Sequence, residues 1–298
     1  MKWLAKTLTV AVWTSVLSIL LCVMWLLCRA FLFDQFVIPT DSMFPTLIPG
    51  DRVIVDKTIM GARIYSDFQF NPEGGELKCW RTKGIGEIRH NDIIVFNFPH
   101  HSGHISFVIN NVFCKRCIAL PGDTIWTENG FYKNNNYKGV LGIESEQQRF
   151  SQMADSLLPK EILNTFPFDE EHVPYTTKNM HPVYVPRRGD IIDITPYEAT
   201  YYKLLLEWET GKQISWDWET DSVYADGKPF PKHEFKHNCY FMAGDNVLDS
   251  NDSRYWGLVP EEYIVGIVTR ISYSKNRTTE KLRPDRLWKK VPRELPTI

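Results

Sequence analysis

Two residues in this chain have the type and setting that hydroxyl chemistry needs, Ser42 and Lys115. Ser42 lies in Ile38-Pro39-Thr40-Asp41-Ser42-Met43-Phe44-Pro45-Thr46-Leu47-Ile48-Pro49-Gly50-Asp51, just after a long apolar segment. Pro39, Pro45 and Pro49 fix their own φ and push the residue before each toward extended conformations, so the stretch predicts a stiff, extended, non-helical backbone around Ser42. Taken alone, the same stretch also suits a proline-rich linker leaving a membrane.

A serine attacks a carbonyl only when a base takes its proton. The eight histidines offer no triad setting, and the chain contains neither G-x-S-x-G nor H-E-x-x-H. His100, His101 and His104 cluster beside Ser102 and Gly103 and read as exposed loop residues, too few in ligands for a metal site. The other base is a lysine desolvated until its amine is neutral, which calls for an apolar strand. Phe107 to Leu120 contains one: Lys115 has apolar neighbours on both sides before Leu120-Pro121-Gly122-Asp123 turns the chain. Side chains alternate along a strand, so Phe113, Lys115 and Cys117 share one face and Cys114, Arg116 and Ile118 the other. That alternation points the two sulfurs of Cys114-Lys115-Arg116-Cys117 apart and argues against a disulfide or redox pair. Cys117 then reads as the thiol nearest the base, where modification would inhibit.

The elements that carry these residues follow from composition and pattern. A nearly balanced 34 Lys+Arg against 36 Asp+Glu argues against nucleic acid as a partner. Six scattered Cys are too few for a disulfide scaffold in 298 residues. Between Lys6 and Arg29 lie 22 uncharged, mainly apolar residues, enough for a helix to cross a bilayer and too bulky at the far end for a cleaved signal. Lys2, Lys6 and the amino terminus before it, against Arg29 and Asp34 after it, predict an N-terminus in the cytoplasm. Residues 1–34 are thus expected to be the cytoplasmic end and anchor, single-pass in the cytoplasmic membrane. Residues 35–298 are expected to form an outer domain.

That domain reads as mainly β. Gly-Asp or Asn-Asp turns precede the β-branched runs at Arg52–Val55, Ile93–Phe96, Thr124–Trp126 and Ile191–Ile194. Ala225-Asp226-Gly227-Lys228 reads as a hairpin tip between Ser222-Val223-Tyr224 and the Tyr240-Phe241-Met242 run. Residues 138–238 differ in texture and read as an inserted α/β lobe, with a helical tendency over Glu144 to Leu163. Its clearest helix is Pro196 to Thr210, with a Thr195/Glu198 capping box, Gly211 behind it, and Tyr201, Leu204, Leu205 and Trp208 on one packing face. The basic tail, 274–298, carries Lys275, Arg277, Lys281, Arg283, Arg286, Lys289, Lys290 and Arg293 against Glu280, Asp285 and Glu294. It reads as a solvated segment whose Leu287-Trp288 could touch lipid headgroups.

Three segments together resemble the bacterial type I signal peptidases, membrane-anchored Ser/Lys endopeptidases that remove signal peptides from exported preproteins. They are Ser42–Leu47 with Gly50-Asp51, Lys115–Asp123, and Gly244-Asp245-Asn246 through Ser250-Asn251-Asp252-Ser253-Arg254-Tyr255-Trp256-Gly257. The resemblance implies an antiparallel β catalytic domain, no cofactor and no metal, signal peptides of secreted preproteins and the lipid bilayer as partners, and cleavage after small residues at Ala-X-Ala-like sites. It implies Ser42 as nucleophile, Lys115 as base, and the Ser42 amide with the Thr40 hydroxyl as oxyanion donors. It further implies Ser250 orienting Lys115, Asp252 pairing with Arg254, Asp245 pairing with Arg116, and substrate contacts from Phe36, Ile38, Met43, Phe113 and Cys114. The chain departs from the family in Val247-Leu248-Asp249, where a basic residue commonly follows the Asn, in Ala119, where Gly is usual, and in the length of the insert. Two other readings are a Ser/Lys self-cleaving repressor relative, which would need a DNA-binding region, and an inactive or specialised membrane-anchored paralogue binding preproteins or a partner through the insert.

Overall fold

A computed structural model describes residues 2–293, so the amino terminus at Met1 and Glu294 lie outside the described residues. The first element is helix α1, Lys2–Phe31, 30 residues without a Gly or Pro. Its Thr14 and Ser18 hydroxyls donate back to the carbonyls of Ala11 and Thr14, so these polar side chains need no outside partner. The apolar stretch Lys6–Phe31 is 26 residues long, its most apolar window is not buried by the rest of the chain, and it spans about 39 Å at 1.5 Å per residue. That length covers a bilayer core of ~30 Å. The helix exit is stapled to the rest of the chain: Arg29 pairs with Asp34 at 2.5 Å, and the Lys57 amine donates to the Arg29 carbonyl at 2.7 Å.

The chain then builds an eight-stranded antiparallel sheet. Its strands are β1 Phe33–Val37, β2 Asp51–Asp56, β3 Ile93–Asn97, β4 Val112–Ala119, β5 Cys239–Ala243, β6 Val259–Pro260, β7 Ile264–Ser274 and β8 Lys289–Lys290. The spatial order is β1-β2-β7-β3-β4-β5-β6, with β8 pairing β7. The central strand β3 is buried on both faces, which is why it reads as an unbroken apolar run instead of an alternating one. Ile93 and Val95 enter one core with Met43, Leu47, Val53 and Ile271. Ile94 and Phe96 enter the other with Phe241, Ile264, Tyr202 and Leu206.

The second core joins the sheet to the elements of 138–238. There helix α2, Pro196–Thr210, has the capping box the sequence predicts, and Gly211 closes it in the left-handed conformation at φ 66°. Tyr201 and Leu205 are buried beneath it, and Leu204 and Trp208 pack partly buried against the same core. Glu144–Gln152 and Lys160–Leu163 are helical, as the polar texture predicts. The hairpin partner is corrected. Ser222–Ala225 turns at Asp226-Gly227 but pairs with Lys228–Pro229 and Ile214–Asp217. Tyr240–Met242 instead sits in β5, between β4 and β6. That run is buried throughout and needs the main sheet on both edges, which a local hairpin does not supply.

β4 and β5 are locked at one end by a buried ion pair. Arg116 Nε and Nη2 each lie 2.6 Å from the Asp245 carboxylate, and both residues are 1% exposed. Arg116 also donates to the Asn91 carbonyl at 2.7 Å and to the Thr46 hydroxyl at 3.2 Å. Removing one partner strands the other charge in the interior, at a cost of about 3–5 kcal/mol. Asp245→Ala is therefore expected to lose that much unfolding free energy in urea titrations of the detergent-solubilised protein. A loss under about 1 kcal/mol would mean that the pair does not hold the strands.

Candidate active site

The segment from Ile38 to Asp51 is a closed loop between β1 and β2. Its ends are tied by Ile38 N–H donating to the Asp51 carbonyl at 2.8 Å and Gly50 N–H donating to the Ile38 carbonyl at 3.0 Å. Inside it, Phe44 N–H bonds the Asp41 carbonyl at 2.8 Å and Leu47 N–H the Met43 carbonyl at 2.9 Å. Ser42 is therefore in a run of turns and not on an extended backbone, which corrects the expectation drawn from the prolines. Met43 and Leu47, four apart and 1% and 0% exposed, must face one core, and helical-type turns place them there. The loop remains non-helical overall, and Ser42 is left half-buried at its rim.

Lys115 sits on β4, opposite Ile94 of β3. Its amine lies 2.6 Å from Ser42 Oγ, and the residue is 4% exposed. Phe113, two positions away on the same face, has its ring centroid 5.8 Å from that amine. Burial pushes the Lys115 amine below the ordinary lysine range, and the nearby Asp252 charge only partly opposes this. A hydroxyl at hydrogen-bond distance from an amine disposed to be neutral can hand it a proton.

The third segment closes over the first. Gly244 approaches so near that an added Cβ would lie 2.0 Å from Ser250 Oγ and 2.5 Å from the Ser42 carbonyl oxygen, so only glycine fits. Asn246 N–H donates to that same Ser42 carbonyl at 3.1 Å. Asp252 and Arg254 form a bidentate pair at 2.8 Å for both contacts, with the Gly244 N–H donating to Asp252 at 2.9 Å. Burial alone would raise the Asp252 carboxyl, but Arg254 and the Gly244 amide hold it below the usual range. Thr40 Oγ1 stands 3.4 Å from Ser42 Oγ. Ser250 is buried with its Oγ lacking a hydrogen-bond partner among the described residues, so no bond ties it to Lys115 here.

Pairing of β4 with β5 stops at Arg116 opposite Ala243, which leaves Val112–Lys115 without a strand on that edge. A cleft of about 330 Å³ opens there, lined by Ser42, Lys115, Thr40, Ile38, Met43, Phe113 and Cys114. Phe36 is not in the lining and packs partly buried against the core under the loop. Asp249 and Asn251 line the cleft as well; sequence reasoning did not single them out as contacts, although Asp249 falls in a departure from the family pattern. The thiol facing this site is Cys114 and not Cys117, which is 0% exposed. Burial pushes the Cys114 thiol up to about 12, so it is not a ready nucleophile.

Two other expectations are corrected. His100 is not a loop residue open to water: it packs against Phe98 and Trp256, its Nδ1 is buried without a partner, and burial lowers its pKa to about 4. The basic tail is not wholly solvated either, since Arg286 is 7% exposed and paired with Asp51. Nothing in local sequence signals that contact, because its partners are 235 residues apart. Among the described residues no group of three or more His, Cys, Asp or Glu is arranged to hold a metal.

Comparison with known proteins places this geometry in a family. The sequence profile described as "Signal peptidase, peptidase S26" matches residues 10–273. The chain is 31% identical over 256 residues to a signal peptidase I of Buchnera aphidicola subsp. Acyrthosiphon pisum, covering 83% of this chain and 71% of that one. It is 29% identical over 254 residues to the signal peptidase I of Buchnera aphidicola subsp. Baizongia pistaciae, covering 82% and 70%. A crystal structure of a signal peptidase I from Enterococcus faecalis V583 aligns with a TM-score of 0.28 at 16% identity, over 62% of this chain and 100% of that one. With the profile spanning 10–273 of its 298 residues, the chain belongs to the signal peptidase family, peptidase S26.

Proposed function

We propose that this protein is a membrane-anchored serine endopeptidase that removes N-terminal signal peptides from exported preproteins, with Ser42 as nucleophile and Lys115 as base. The observation that carries the reading is the buried Lys115 amine 2.6 Å from Ser42 Oγ at the floor of an open cleft. Ser42 O–H donates its proton to the neutral amine as Oγ attacks the scissile carbonyl. The Ser42 N–H and the Thr40 hydroxyl donate to the oxyanion of the tetrahedral intermediate. The protonated Lys115 then gives its proton to the leaving amine. A water deprotonated by Lys115 attacks the acyl-enzyme, and the Lys115 ammonium returns the proton to Ser42 Oγ as the ester bond breaks and the signal peptide leaves as a carboxylic acid.

The unpaired edge of Val112–Lys115 supports docking of the cleavage site as an added strand. Ile38, Met43, Phe113 and Cys114 leave room beside it for small side chains such as Ala, which fits Ala-X-Ala-like sites. Residues 1–34 act as a single-pass anchor in the cytoplasmic membrane, and 35–298 as the catalytic domain on its outer side, with 138–238 an inserted lobe. The flanking charges, Lys2 and Lys6 before the span against Arg29 and Asp34 after it, support that orientation. Tight coupling of the helix exit to β1 keeps the cleft near the bilayer, where a signal peptide still in lipid presents its cleavage site.

In preprotein-cleavage assays Ser42→Ala and Lys115→Met are expected to lose about 10⁴-fold or more in kcat/KM. Lys115→Met should at the same time unfold at an equal or higher temperature, because an apolar side chain of similar length replaces a buried amine. Wild-type cleavage by either variant would overturn the assignment, and a large drop in melting temperature for Lys115→Met would assign the lysine a structural role. The pH profile has a definite sign. Lys115 acts when neutral and its pKa lies below the ordinary lysine value, so kcat/KM is expected to plateau below the pH at which a free lysine titrates. It should then fall about tenfold per unit as acid protonates the amine. A rate flat down to acid pH would exclude Lys115 as the base.

A further inference from the structure

We infer that the C-terminal segment from Ser274 to Leu287 is a strap that holds the Ser42 loop in register with Lys115, with Arg277, Arg283 and Arg286 as positioning residues. The inference rests on the reading of Ser42 as the nucleophile. The segment begins one residue past the end of the family match at 273, so it lies beyond the part of the chain that the profile describes.

The segment is ordered by its own bonds. Arg283 N–H returns to the Ser274 carbonyl at 2.9 Å, Asn276 N–H to the Lys281 carbonyl at 2.9 Å, and the Asn276 carboxamide accepts from Thr278 N–H at 2.9 Å and Thr279 N–H at 3.0 Å. It lies directly against the loop: Lys275 N–H donates to the Gly50 carbonyl at 3.1 Å, and a Cβ on Gly50 would sit 1.9 Å from the Lys275 oxygen.

Three guanidinium groups then take three loop carbonyls. Arg277 donates to the Pro39 oxygen at 2.6 Å, Arg283 to the Pro49 oxygen at 3.0 Å, and Arg286 to the Thr46 oxygen at 2.9 Å. These acceptors need outside donors for a physical reason. Three prolines remove three N–H groups from the loop, so it cannot pair all of its carbonyls within itself. A planar guanidinium holds its donors in a rigid fork, so it can take a carboxylate through two nitrogens and a carbonyl as well, a geometry an ammonium lacks. Arg286 does both, adding contacts of 2.8 and 2.5 Å to the buried Asp51 carboxylate, whose second task is to accept the Ile48 N–H at 2.9 Å.

The grip bears on the dyad because the loop is held from the other side by the strand that carries the base. Arg116, next to Lys115, bonds the Thr46 hydroxyl at 3.2 Å, while Arg286 bonds the Thr46 carbonyl. Thr46 is thus fixed between β4 and the strap. Pro39, held by Arg277, immediately precedes Thr40, the proposed oxyanion donor. Loosening the strap leaves β4 and Lys115 in place and lets Ser42 and Thr40 drift, and a displacement of ~1 Å at reacting groups can cost ~100-fold in rate.

The test uses the full-length protein in detergent with a preprotein substrate. Arg286→Lys, which keeps the charge beside Asp51 and loses the fork, is expected to lower kcat about 10- to 100-fold with KM within about twofold and the acid limb of the pH profile unmoved. Arg277→Ala, at an exposed position, is expected to lower kcat about 3- to 10-fold, and exposed Lys281→Ala to leave it unchanged. Hydrogen exchange should rise across residues 38–51 in Arg286→Lys while β3 and β4 stay protected. Should Arg286→Lys fail to fold, Arg277→Ala and its exchange pattern decide. Wild-type kcat and unchanged exchange in the folded variants would overturn the strap while inactive Ser42→Ala upholds the nucleophile. Cleavage by Ser42→Ala would overturn the nucleophile itself, and the strap's role with it.

Discussion

Everything in the site depends on taking one amine out of water. An ammonium buried without a fixed counter-charge is expensive, and the chain resolves the cost by favouring the neutral form of Lys115. Apolar packing around β4 does the burying, and the carboxylate that acts on the amine most strongly, Asp252, is already committed to Arg254 through a bidentate contact. Had Asp252 been free to pair with Lys115, it would have favoured the charged amine. The Asp252–Arg254 pair therefore serves the lysine by being complete without it.

The same logic of committed charges recurs around the cleft. Arg116 neighbours Lys115 in sequence but points to Asp245 and the Asn91 carbonyl, so strand alternation turns that cation away from the Lys115 amine. Asp51 is likewise bound to Arg286 and the Ile48 amide. Each buried ion is saturated by partners in fixed positions, which converts desolvation cost into geometric definition. What the packing leaves open at the site is Ser42 at the rim and the edge of Val112–Lys115 where β5 stops.

The anchor and the sheet form one mechanical unit. α1 runs into β1 with a single residue between them, and the Arg29, Asp34 and Lys57 contacts brace that junction. β1 leads into the Ser42 loop and β2 leads out of it. The hydroxyl is accordingly tied to the apolar helix α1 by only ten residues, Leu32 to Asp41. The elements of 138–238 attach through the opposite core, which α2 shares with β3 and β5, and through a further cluster in which Phe150 and Leu158 meet Val247.

Local chemistry determined much of this protein from sequence alone. An apolar run of membrane length, Gly-Asp turns before β-branched strands, the capping box at Thr195 and Glu198, and an isolated lysine in an apolar strand are properties of neighbouring residues, and each reads out correctly because its physics is local. The errors have the opposite character. Tyr240–Met242 went to the main sheet because an all-apolar strand needs two partners, and period-two texture does not say which. Ser42 turned where prolines suggested extension because Met43 and Leu47 had to reach one core. His100 was covered by Trp256 from far along the chain as well as by nearby Phe98, and Cys114 faced the cleft that Cys117 could not reach. Arg286, one cation among many in a basic tail, became a buried partner of Asp51 only once β2 and β7 lay side by side. Which hydroxyl meets which amine, and which of many charges is buried, are decided by sheet register, because contacts between residues hundreds of positions apart exist only after the strands between them have paired.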